Sequence, residues 1–205
     1  MIEGLKRKLK AIVRKAEHER NKRMLVYLAN LKPDADVRLS SDENKMLETM
    51  VKYLRPSGII TRGGKIVFKA PSVEDVSLWD MLEARRAETA TGTIEAWTGG
   101  KYSPDTVIDA VRLSKYISEQ VKIADGLEEA LFAGMEGTEN SDDPIKQAKN
   151  LLGLVQITAE LFHCSFDEAK RVNYSDAMLA IAKRNDEIER ENKRIKEQQN
   201  KQKQW

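Results

Sequence analysis

Apolar residues recur at three- and four-residue steps along most of the chain, a spacing that predicts a succession of amphipathic helices. Ile2, Leu5, Leu9, Ile12, Val13 and Ala16 form the first stripe, with Lys and Arg on the opposite face. A second apolar cluster, MLVYLANL, covers 24–31, and Pro33 stops it because proline disfavours helix in the residue before it. Ser40 precedes Glu43 by three residues, the capping-box spacing, and opens a helix whose apolar face is Met46, Leu47, Met50, Val51 and Leu54. Pro56-Ser57-Gly58 ends it.

A convincing strand pattern occurs once. Ile59-Ile60-Thr61 and KIVFK at 65–69 flank Arg62-Gly63-Gly64, and the glycine pair supplies the positive φ angles of a tight hairpin turn. A lone hairpin is marginal in water, so this one must pack on a helix, on other strands or on a partner chain. Val73, Val76, Leu78, Trp79 and Leu82 then predict a helix over 72–86, and ETATGTIEAWTGGKY reads as a turn-rich passage. Gly99-Gly100 divides the chain into 1–99 (basic helix, capped helix, hairpin, helix) and 100–205, a helical domain with a charged final helix.

Ser103-Pro104-Asp105 is the expected start of the next helix, with Ser at the cap, Pro in the first turn and an acid behind. Its apolar positions continue to Ile123. GMEGTENSDD, 134–143, reads as an acidic linker, and Asp143-Pro144 starts the following helix by the same device. Leu151, Leu152, Leu154, Val155, Ile157, Ala159, Leu161 and Phe162 make that helix apolar around most of its surface, which predicts the central buried helix of the C-terminal part. Ser165-Phe166-Asp167-Glu168 repeats the capping-box spacing, and Asn173-Tyr174-Ser175-Asp176 places a cap and an acid at one more helix start. In the charged tail Ile188 and Ile195 are seven residues apart and nearly alone, a stripe thinner than the heptad series of a coiled coil. The expected fold is mainly α: a helical domain with one small β-hairpin and a capped long-short-long helical unit at the C-terminus.

Composition sharpens this picture. Of 205 residues, 33% are charged, 40% hydrophobic and only 6% aromatic, so the core must be built mostly from Leu, Ile, Val, Ala and Met. The net charge of +2 does not by itself argue for nucleic acid, but its distribution is uneven. Lys6, Arg7, Lys8, Lys10, Arg14, Lys15, Arg20, Lys22, Arg23 and Lys32 face only Glu3, Glu17 and Glu19, whereas 124–143 holds seven acids and no Lys or Arg. Opposite blocks of this kind suit contacts within one chain or between copies. A single cysteine excludes an intrachain disulfide and fits a reducing compartment. The N-terminus lacks the apolar run of a signal peptide, and no run reaches the roughly 20 residues that span a bilayer.

His163 and Cys164 are the obvious candidates for chemistry. Adjacent helical residues point about 100° apart, and a catalytic thiolate needs a base within hydrogen-bond reach. His18, the other histidine, lies far away in the sequence, and zinc requires three or four convergent ligands. Cys164 therefore reads as a small buried apolar residue at a helix end, and no metal or cofactor is expected. TRGGK lacks the spacing of a phosphate-binding loop.

Residues 143–199 resemble the helical module of bacteriophage tail assembly chaperones and related small phage morphogenesis proteins. The matching positions are Phe166, Asp167, Glu168 and Ala169 in the short turn and Tyr174 and Asp176 at the entry to the final helix. The resemblance implies a non-enzymatic role in building a phage particle, with other protein subunits as partners, through self-association or docking on phage structural proteins. It implies a place in the host cytoplasm during assembly or in the virion, and puts Phe166, Asp167 and Tyr174 at contacts.

The competing reading is a winged-helix-like nucleic-acid binder. The order of capped helix then hairpin matches, and Arg62 and Lys65 would touch phosphates from the wing tip. Against it, the presumed recognition helix carries Asp42, Glu43 and Glu48, which repel a phosphate backbone. The basic helix lacks the Trp and Phe of a membrane-surface helix, so a membrane is not expected. Protein contact is the favoured reading, with Lys6, Arg7, Lys8, Lys10 and Arg14 on the basic helix and Arg62 and Lys65 on the hairpin as its candidate residues.

Overall fold

The computed structural model describes residues 18–24, 26–27, 30–33, 39–133 and 144–202. The expected stripe at 2–16, with Lys6, Arg7, Lys8, Lys10 and Arg14, and the acidic linker at 134–143 lie outside them. After a helical stretch at 18–24 come α1 (Ser41–Tyr53), β1 (Ile59–Arg62), β2 (Lys65–Lys69), α2 (Leu78–Arg86), α3 (Ala90–Trp97), α4 (Val107–Leu131), α5 (Pro144–Phe162), α6 (Phe166–Ala169) and α7 (Tyr174–Gln202). The fold is mainly α with one two-stranded antiparallel sheet.

The capping box of α1 forms as the sequence predicts. The Ser40 side chain accepts from the Glu43 amide, and the Ser40 amide donates to the Glu43 carboxylate at 2.7 Å. None of the residues of α1 is fully buried. At its C-terminal end Lys115 of α4 donates to the Leu54 carbonyl at 3.0 Å, placing a cation where the helix dipole is negative.

The hairpin also forms as expected, with Gly63 and Gly64 both at positive φ (54° and 75°), the requirement of a type I′ turn. Its inner face is anchored: Ile60 is 1% exposed, and the Phe68 ring stacks on Tyr102 with centroids 4.1 Å apart. At its base a Cβ on Gly58 would come within 2.8 Å of the Tyr116 ring, so only glycine fits.

Three boundaries differ from expectation. Residues 73–75 form a turn, and α2 starts only at Leu78, because Ser77 is extended and bridges Asn173. The passage expected to be turn-rich contains α3. Thr89 caps it, and burial of Ile94 and Trp97, both 0% exposed, outweighs the weak propensity of its Thr and Gly residues. Gly99 and Gly100 then end it at positive φ, with the Gly100 amide bonded to the Glu95 carbonyl at 2.8 Å. The cap of α4 is Thr106 rather than Ser103: its hydroxyl accepts from the Asp109 amide.

The expectation for α5 also needs correction. Leu152, Ile157 and Phe162 are 48%, 41% and 42% exposed, and among the described side chains of α5 only Val155 and Thr158 are buried. The central helix is α4, whose 25 residues run for about 37 Å. It buries Ala110, Leu113, Ile117 and Ala124 in one cluster with α2, α3, Val155 of α5, Ala169 and the first turns of α7. That cluster includes residues from both sides of Gly99-Gly100. Each fully buried aliphatic side chain contributes roughly 1.5–3 kcal/mol.

Candidate interaction surfaces

The HCSFDEA joint is a pair of helix ends. His163 is the only non-glycine residue at positive φ among the described residues (51°), and the Cys164 amide bonds the Ala159 carbonyl at 3.0 Å. This is a Schellman-type stop with histidine in the place usually held by glycine. Cys164 is half-buried against the core rather than fully buried. Ser165 and Glu168 form the second capping box, and these hydrogen bonds hold the Glu168 carboxyl below its ordinary range, as Ser40 does for Glu43.

The chain leaving α6 docks on the N-terminus of α2. The Leu78 amide donates to the Val172 carbonyl at 2.8 Å and the Trp79 amide to the Lys170 carbonyl at 3.1 Å. The Ser77 hydroxyl accepts from the Asp80 amide. Three of the four donors that a helix start leaves free are thus satisfied. Lys170 lies over the rings of both Trp79 (4.9 Å) and Phe166 (5.0 Å). A second lock lies deeper. The buried Tyr174 hydroxyl donates to Glu128, and Arg85 donates to Glu128 at 2.8 Å and to Asp125 at 2.7 Å. These residues tie α2, α4 and α7 together.

The candidate residues fall in different places. Arg62 donates to Asp109 and lies 3.6 Å from Asp105, so its guanidinium is held at the N-terminus of α4. Lys65 is exposed at the start of β2. Phe166 is 39% exposed, and Asp167 pairs with Lys170 at 3.1 Å on the surface. Tyr174 is 0% exposed and presents no surface to a partner. Burial raises the pKa of Tyr102 and of Tyr116 above that of a free phenol, and both hold the hairpin rather than face a cleft. Among the described residues no three His, Cys, Asp or Glu side chains gather to hold a metal ion, and no helix is long and apolar enough to cross a membrane.

Two exposed surfaces stand out, one of them the hairpin that the sequence already marks as needing a packing partner. The outer side of the hairpin displays Ile59 (43% exposed), Ile66 (64%) and Val67 (53%). Neither outer edge pairs with another strand among the described residues. The signal was present in KIVFK, where consecutive apolar residues exceed what one buried face can use. The other surface is the distal half of α7: every residue from 186 to 199 is exposed. The chain matches no protein-family model, no curated protein and no solved structure.

Proposed function

We propose that this protein is a non-enzymatic component or assembly factor of a bacteriophage particle that works through protein–protein contacts, by self-association or by docking on other phage structural subunits. The observation that carries this reading is the outer face of the hairpin. Ile59, Ile66 and Val67 are exposed on a sheet that the core holds firmly from behind through Ile60 and Phe68. An unpaired edge beside exposed β-branched residues suits addition of a partner strand or an apolar patch. The phage setting comes from the resemblance at Phe166, Asp167, Glu168, Ala169, Tyr174 and Asp176.

Nucleic-acid binding is less well supported. A phosphate reaching Arg62 has to displace Asp109 and compete with Asp105. Co-expression with the neighbouring gene products, followed by mass determination of the complexes, tests the proposal. Ile66→Asp with Val67→Asp is expected to weaken assembly by about tenfold or more, as for loss of a contact hot spot. Its thermal unfolding should stay close to native, because both side chains are exposed. Assembly at native level in that variant, or submicromolar duplex DNA binding with a steep salt slope, overturns the reading.

A further inference from the structure

The two edges of the hairpin are not equivalent. In an antiparallel pair, facing residues alternate between pairs that exchange both backbone hydrogen bonds and pairs whose N–H and C=O groups point outward. The two-residue turn makes Arg62 and Lys65 an exchanging pair. The Ala70 amide donates to the Gly58 carbonyl at 2.7 Å, so Gly58 and Ala70 are another. The outward groups therefore belong to Ile59 and Thr61 on β1 and to Ile66 and Lys69 on β2.

On β1 the protein's own side chains occupy them. The Ile59 amide donates to Ser57 Oγ at 3.2 Å, and the Ser57 hydroxyl donates to the Ile59 carbonyl at 2.8 Å. Arg62 donates to the Thr61 carbonyl at 3.1 Å. Among the described residues, no such bond reaches the outward groups of Ile66 and Lys69. A bulge preserves their spacing. Val67 is the extra residue, and Ile66 faces Thr61 while Lys69 faces Ile59. The two open sites thus stand like alternate residues of a regular strand, about 7 Å apart.

We propose that the outer edge of β2 takes up an extended acidic segment of another protein as a third strand, with an acid beside Lys69 and an apolar side chain beside Ile66. The proposal deepens the reading of the protein as an assembly component and rests on it. Charge selects the occupant. Residues 59–70 hold Arg62, Lys65 and Lys69 and no acid. Arg62 is engaged by Asp109, whereas Lys65 and Lys69 form no ion pair among the described residues. Any register that pairs this edge with the hairpin of a second copy brings cations together with nothing to offset them, which is how edge lysines block self-pairing. An acid opposite Lys69 is attracted instead. The free N–H and C=O groups of Ile66 and Lys69 supply affinity, and the exposed Ile66 and Val67 gain cover from the incoming strand.

Amide hydrogen exchange by NMR on the full chain tests this with short synthetic peptides in which valine alternates with glutamate or with lysine. The glutamate peptide is expected to bind at least about tenfold more tightly than the lysine peptide. It should slow exchange at the Ile66 and Lys69 amides and leave Ile59 unchanged. Lys65→Glu with Lys69→Glu, both at exposed positions, should reverse the preference while the thermal melt stays close to native. No binding, equal affinity for the two peptides, or binding without protection of Ile66 and Lys69 overturns the proposal. So does a native chain whose Ile66 and Lys69 amides gain protection as its own concentration rises, which assigns the edge to a second copy. If the double variant still forms native complexes with the neighbouring gene products, strand addition is overturned and the assembly reading stands. If the glutamate peptide binds as stated but the native chain joins none of those products, the assembly reading fails and the open edge stands as a peptide site.

Discussion

At the residue scale, the joint between α5 and α7 rests on backbone geometry and a few polar contacts, and each makes a prediction. His163 holds φ at 51°, where a side chain costs energy and a β-branched one costs most. His163→Gly should leave stability unchanged or raise it by about 0.5 kcal/mol, and His163→Val should lower it by about 1–2 kcal/mol. Urea melts distinguish these outcomes from a chemical role, for which both substitutions would abolish function in a folded protein. Tyr174→Phe removes a buried hydroxyl that donates to the half-buried carboxylate of Glu128 and should destabilise by about 1–2 kcal/mol. The second capping box depends on pH. The folded pKa of Glu168 lies below its ordinary value of 4.5, so its contribution is complete above that value and is lost as pH falls through the folded one. The protection of the Ser165 amide, measured against its intrinsic exchange at each pH, should therefore fall as pH drops below 4.5 in the native chain, and Glu168→Gln should remove that dependence.

At the scale of elements, the cap signals were readable because they are local. Ser40 with Glu43, Ser165 with Glu168 and the Gly63-Gly64 turn each need only residues within a few positions of one another. What the sequence did not show depends on distant partners. The helix α3 exists because Ile94 and Trp97 find a core, and α2 starts late because Ser77 meets Asn173. The composition of α5 suggested full burial, but among its described side chains only Val155 and Thr158 are buried. Likewise nothing in the sequence spacing joins Arg85, Glu128 and Tyr174. The candidate site was readable only in part: Arg62 was noticed as a cation, while its engagement by Asp109 depends on how the hairpin meets α4. Gly58→Ala tests that meeting. Its Cβ would strike the Tyr116 ring, so a loss of about 1–3 kcal/mol is expected in denaturant melts, with the hairpin loosened.

At the scale of the whole molecule, one core holds up two exposed elements, the hairpin and the outer half of α7, that carry apolar residues with no cover within the described chain. The uneven charge points the same way. Exposed opposite charges attract over about 8–10 Å at moderate salt, so association should weaken as salt rises. Reversing Lys6, Arg7, Lys8 and Lys10 to Glu should reduce it without unfolding the domain, as judged by circular dichroism. The central claim is that the protein works by joining other subunits, and its most direct test is mass in solution. Light scattering over a wide concentration range, at low and high salt and with the neighbouring gene products, should show species heavier than the 23.3 kDa chain. These should grow with concentration and shrink with salt. A single 23.3 kDa species under every one of these conditions would contradict the account.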